Sequence, residues 1–173
     1  MLGLRIPEVA YFFSGFGESD RHPIEAFDIA LRPSRIHEYN LTLYSSILPK
    51  DIAFASELPE IPRGSEIPVV LSRSEGVRGE FLVATLSRAL DKSRGGVVVE
   101  THAKGESEDS LYSSGKRYTL EEFLEASKEI ARNIMRERGL NIDKEGIVYS
   151  KGLVRKSYGV AVAGVAFIRF RYL

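Results

Sequence analysis

YGVAVAGVAFIRFRYL, residues 158–173, is apolar on both of its alternating faces until Arg169. A strand with one face in water carries polar residues on that face, so this segment belongs at the centre of a sheet covered on both sides. The covering layers must come from the rest of the chain. In TLEEFLEASKEIARNIMRERG, residues 119–139, Thr119 and Glu122 have the spacing of a capping box, and Gly139 marks the end. Leu120, Phe123, Leu124, Ser127, Ile130, Ala131, Ile134 and Met135 form one stripe, which predicts a helix packed on a sheet. A shorter helix is expected in HPIEAFDIALRPS, where Pro23 suits the first turn. There Ile24, Phe27, Ala30 and Leu31 recur at helical spacing until Pro33.

Strand patterns occupy most of the remainder. Residues 4–14 read as a strand that runs into a glycine-rich loop, SGFGES. Residues 39–56 alternate with a break at Pro49, and 67–73 and 95–103 read as further strands; 80–90 fits either helix or strand by pattern and is assigned to strand because its neighbours are strands. KGESEDSLYSSGKRY, filling residues 104–118, is polar and lacks periodicity, which predicts a mobile surface loop. The order β, α, several β, long α, two β predicts an α+β fold. We expect a layered α/β sandwich of αββα type with mostly antiparallel sheets, formed by residues 1–173 as one domain.

Composition narrows the function. At 173 residues the chain can bury about 70% of its unfolded surface without staples. It has no cysteine, so disulfides, thiolate nucleophiles and cysteine metal sites are excluded. Lys plus Arg equal Asp plus Glu at 24 each, with no basic stripe, which argues against a nucleic-acid partner. The apolar opening is interrupted by Arg5, Pro7 and Glu8, unlike a signal core or membrane span, so a soluble cytoplasmic protein is expected. GFGES lacks the Lys-Ser/Thr of a phosphate loop, and His22, His37 and His102 have no ligand spacing, so neither nucleotide nor metal is expected.

LTLYSSILPK, residues 41–50, ends a strand pattern on two adjacent serines, Ser45 and Ser46. Serine competes for backbone hydrogen bonds and suits turns, so the pair is either a plain strand end or a chemical site. A second pair, Ser113–Ser114, occurs in the similar words LYSSGK, and its polar setting reads as a solvated loop. Around the first pair, strand residues and Ile47, Leu48 and Pro49 would hold the peptide rigid and partly buried. A Ser46 hydroxyl held against the Ser45 carbonyl can attack it and convert the peptide to an ester, given oxyanion stabilisation. Elimination would leave dehydroalanine at position 46, which hydrolyses to a pyruvoyl group.

AFDIAL, YNLTLYSSILP and VVVETHAKG, taken together with SGFGES, Pro23 and the helix before the final strands, give the chain a resemblance to the pyruvoyl-dependent arginine decarboxylases, which cleave themselves between two serines. The resemblance spans most of the chain. It implies a short chain 1–45 and a pyruvoyl chain 46–173, with Ser45 and Ser46 at the cleavage site and Ser46 the source of the covalent pyruvoyl cofactor. It implies that Asn40 supports the cleavage intermediate, that Asp28 receives the substrate guanidinium, and that Glu100 is the catalytic acid. Ile24, His37, Tyr39 and Ile47 complete the implied substrate-binding set. Independently, a carboxylate that follows Val97-Val98-Val99 is expected to be at least partly desolvated and so to hold its proton more firmly.

The implied reaction converts arginine to agmatine and carbon dioxide, a step towards polyamines, in a homotrimer or dimer of trimers. The substrate amine condenses with the ketone, which accepts the electrons released as carbon dioxide leaves. His37 and Tyr39 stand where the family usually carries small or aliphatic pocket residues, and the segment 104–118 is longer than the family's. Two alternatives follow: the same chemistry on another amino acid, or an unprocessed binding protein of the same fold.

Overall fold

The computed structural model describes residues 4–173. Strand β1 (Arg5–Ser19) leads into α1 (Pro23–Leu31), two single-turn helices, and the short strands β2 (Asn40–Leu43), β3 (Ile47–Leu48) and β4 (Ala53–Ala55). Long strands β5 (Glu66–Val77), β6 (Phe81–Asp91) and β7 (Gly95–Ser107) follow, then β8 (Ser110–Ser113) and β9 (Lys116–Tyr118). The chain closes with α2 (Leu120–Glu137), β10 (Lys144–Leu153) and β11 (Tyr158–Tyr172). One sheet has the order β2-β5-β11-β1-β4 and the other β10-β6-β7-β8-β9, with β3 added to β7. Pairings are antiparallel except β1 with β4 and β2 with β5.

β11 is the central strand of its sheet, as its two apolar faces require. Ala161, Ala163, Val165 and Phe167 point into the core between the sheets with Leu82, Ala84 and Leu86 of β6. Val160, Val162 and Ala166 point the other way, against Ala26, Ala30 and Leu31 of α1. On the outside of the second sheet, Phe123, Ala131 and Met135 of α2 cover Val83, Ala89 and Val97. The layers are therefore α1, sheet, sheet, α2, the expected αββα sandwich.

The glycine-rich segment differs from its sequence reading. β1 continues through Gly15 and Gly17 to Ser19 instead of ending in a loop. A Cβ on Gly15 would lie 1.9 Å from the Ala30 carbonyl oxygen, and one on Gly17 would lie 2.2 Å from that of Ala26. The glycines let α1 lie directly on the strand, a packing role that composition alone reads as a loop. In α1 the buried residues are Ala26, Ala30 and Leu31, while Ile24 is 67% exposed.

Residues 104–118 also differ. They form the end of β7 and the hairpin β8–β9 in place of the expected mobile loop. Ser114 and Gly115 turn the hairpin with φ of 49° and 76°, the left-handed pair that a tight two-residue connection requires. α2 begins on the capping box as read: Thr119 N donates to Glu122 Oε2 at 2.8 Å, and Glu122 N to Thr119 Oγ1 at 3.3 Å.

The β6–β7 turn fixes the register on which the site depends. Asp91, buried there, accepts from the Ser93 hydroxyl and from the backbone N–H groups of Ser93, Asn141 and Arg94. Those bonds, the Ser93 hydroxyl foremost, hold its carboxyl down at about 2.

Candidate active site

β3 places the first serine pair. Ile47 and Leu48 pair with Val97 and Gly96 of β7, and Val98 N donates to the Ser46 carbonyl at 2.9 Å. Side chains two apart on a strand share a face, so the chain at Ser46 lies beside Glu100, two residues beyond Val98. The Ser46 hydroxyl donates to Glu100 Oε2 at 3.2 Å. The Ser45 carbonyl accepts from Ile47 N at 3.0 Å, a three-residue turn centred on Ser46. That N–H polarises the carbonyl the hydroxyl would attack. A carbonyl group formed at residue 46 fits this frame, because the Val98 N–H and the β3–β7 pairing hold its backbone.

Ser46 is half-buried and Ser45 exposed. Glu100 is exposed too, which corrects the expectation that its three preceding valines would desolvate it. Val97 and Val98 reach the core on opposite faces of β7, but at Glu100 the face between the sheets opens into a cavity of about 510 Å³. Arg73, Glu100, His102, Tyr112, Ser113 and Ser114 are among its walls. The second serine pair, read as solvated, thus lies in the cavity of the acid that touches the first. Ser113 Oγ donates to the His102 carbonyl at 2.8 Å.

Asp28 and Asn40 occupy a different cavity, of about 620 Å³, shared with Ile24, His37, Tyr39 and Arg73. α1 supplies Asp28, whose Oδ2 accepts from Nε and Nη2 of Arg32 at 2.9 and 2.8 Å. The chain already seats a guanidinium on this carboxylate. Asn40 opens β2, and its side-chain amide donates to the Gly64 carbonyl at 2.7 Å while its N donates to Ser65 O at 3.0 Å. In the single chain Asn40 therefore touches neither cleavage-site serine. It pins the strand that runs into Ser45.

The two departures at this cavity behave differently. Tyr39 is 9% exposed, packs in the α1 core, and donates through its hydroxyl to Ile61 O at 3.4 Å. His37 has a buried Nδ1 with no hydrogen-bond partner, and its Nε2 lies 3.1 Å from Glu38 Oε1. Ile24 and Ile47 are 67% and 50% exposed, and Leu43, another wall of the Asp28 cavity, is 74% exposed.

Sequence reasoning missed Arg73, which stands in both cavities. A lone arginine in a strand pattern gave no signal. Among the described residues no cluster of three or more His, Asp or Glu side chains is arranged to hold a metal ion, and no helix is long and apolar enough to cross a membrane.

A family profile described as pyruvoyl-dependent arginine decarboxylase matches residues 9–172. The chain is 32% identical over 165 residues to a protein of that name from Methanococcus aeolicus, covering 94% of this chain and 90% of the relative. A namesake from Methanococcus vannielii is 30% identical over 92% of this chain and 90% of its own. Pyruvoyl-dependent arginine decarboxylase 2 of Archaeoglobus fulgidus is 26% identical over 94% and 98%.

Proposed function

The chain belongs to the pyruvoyl-dependent arginine decarboxylase family, and from that membership we propose that it cleaves itself between Ser45 and Ser46, carries a covalent pyruvoyl group derived from Ser46, and converts arginine to agmatine and carbon dioxide. The observation that carries the proposal is the 3.2 Å hydrogen bond from Ser46 Oγ to Glu100 Oε2, 54 residues apart in sequence. It joins the serine that the chemistry consumes to the acid that the chemistry needs.

Each residue has a task. Glu100 accepts the hydrogen bond of the Ser46 hydroxyl as that oxygen attacks the Ser45 carbonyl, and Ile47 N–H supports the charge on the Ser45 oxygen. Asn40 acts as a positioning residue, anchoring β2 so that Ser45 and Ser46 arrive in register on β7. After cleavage the pyruvoyl group supplies an electron-withdrawing carbonyl that makes loss of carbon dioxide from the substrate feasible. Glu100 then delivers a proton to the carbon the carboxylate has left.

Asp28 offers the substrate guanidinium a planar two-oxygen acceptor. Arg32 does not block it, because an exposed i,i+4 pair of this kind contributes only about 0.3–0.5 kcal/mol. Asp28→Asn keeps the shape and removes the charge, so KM for arginine should rise about 10- to 150-fold while chain splitting continues. Steady-state assays on the processed variant measure this, and an unchanged KM would move the guanidinium site elsewhere.

The overall reading is tested by carbon dioxide release from arginine, lysine and ornithine. Arginine should be the best substrate. The unpartnered His37 Nδ1 in the Asp28 cavity favours one alternative, a re-cut pocket, and a processed protein that prefers another amino acid would establish it.

The assembly is part of the proposal. Ile24, Leu43 and Ile47 expose large aliphatic surface around the site, and a homotrimer or dimer of trimers would cover it and bring the Asp28 and Glu100 cavities of the assembly together. Light scattering should give a trimer or hexamer, and a fully active monomer would refute this.

A further inference from the structure

We infer that Arg73 is the residue that receives the α-carboxylate of the substrate, a role that rests on the arginine-decarboxylase reading above. Arg73 lies on β5 with its guanidinium carbon 4.0 Å from the centre of the Phe27 ring. Its side chain is 32% exposed. Glu75 Oε1 is 2.6 Å from Nε, an ion pair made off the N–H axis, so Nε has a charge partner without an aligned hydrogen bond. That ion pair engages one nitrogen of a group with five N–H donors, which leaves its terminal N–H groups to meet a second carboxylate.

The chemistry of that use follows from geometry and charge. A guanidinium stacked on an aromatic ring keeps its in-plane N–H edges free, and that planar fork matches the two oxygens of a carboxylate. Phe27 holds the stacking face, and Asp28 is the next residue of α1. Asp28 and Arg73 therefore present opposite charges to one cavity, and free arginine carries opposite charges at its two ends. Arg73 also borders the cavity of Glu100, the proposed proton donor.

Arg73 would thus hold the group that departs. Agmatine lacks the carboxylate, so the contact is made by substrate and not by product, and Arg73 separates the two. Fixing the carboxylate also fixes the orientation of the bond to be broken, which is a contribution of alignment.

Binding measured without turnover tests this. The purified wild-type protein is titrated calorimetrically with 5-guanidinopentanoate and with pentylguanidine, two analogues without the α-amine that differ in the carboxylate. Wild type should bind the carboxylate analogue about 10- to 150-fold more tightly. Arg73→Gln should bring the two affinities within about threefold of each other while leaving that for pentylguanidine unchanged, and Arg73→Lys, which keeps the charge but loses the fork, should fall between. In the activity assay Arg73→Gln should raise KM for arginine and leave inhibition by agmatine as it was. Equal binding of both analogues to wild type, or a preference that survives in Arg73→Gln, overturns the inference. So does an equal loss for both analogues, which would make Arg73 a prop for Phe27. A wild-type protein that keeps the preference yet releases no carbon dioxide from arginine would sink the proposed reaction and leave the carboxylate site standing.

Discussion

Ser46→Ala should leave a single chain of 173 residues, whereas the wild-type protein should separate on a denaturing gel into chains 1–45 and 46–173, the second blocked to Edman degradation. The effect is all or none because the substitution removes the attacking oxygen itself. The backbone around it should persist, since the bonds that place residue 46 run through Val98 N and Ile47 N and need no serine side chain. Those bonds are why this pair is chosen over the other. The Ser45 carbonyl already accepts an N–H, the kind of donor whose loss costs about 10²- to 10³-fold in acyl chemistry. Ser114 sits at a hairpin turn with φ of 49°, and its replacement by alanine should leave splitting unchanged. Intact mass of the three proteins decides the matter: a split Ser46→Ala chain, or a whole Ser114→Ala chain, would mean the wrong pair.

The contrast between the two pairs shows where the sequence stopped being informative. LYSSIL and LYSSGK are nearly the same word, and apolar against polar flanks suggested which of them is held in place. That much was legible because burial patterns are local. β11 and the capping box of α2 were legible for the same reason: period-2 alternation and a three-residue spacing are complete within one segment. The meeting of Ser46 with Glu100 depends on the two-residue strand β3 joining the long strand β7, a pairing that no local pattern encodes. The hairpin 104–118 was missed because its strands are polar, with Leu111 buried beneath them, and one inward residue does not make a period. Gly15 and Gly17 misled for a related reason, since a glycine that admits a helix against a strand looks the same in sequence as one that makes a loop.

Glu100→Gln should separate the two reactions that meet at residue 46. Glutamine keeps an oxygen that can accept the Ser46 hydroxyl, so the 3.2 Å contact can persist and the chain should still split. Glutamine has no carboxylic proton to give. If Glu100 protonates the carbon left by carbon dioxide, kcat should fall by about 10² to 10⁴, the range associated with a positioned acid, with a smaller change in KM because Asp28 and Arg73 remain. Residual turnover in the variant measures protonation by water in place of the carboxylic acid. Denaturing gels and carbon dioxide release on the same preparation give both readings. Full kcat in a processed Glu100→Gln protein would place the acid elsewhere. Failure to split would show that the carboxylate must take the Ser46 proton during cleavage, and Glu100 would then belong to the first reaction before it could be assigned to the second.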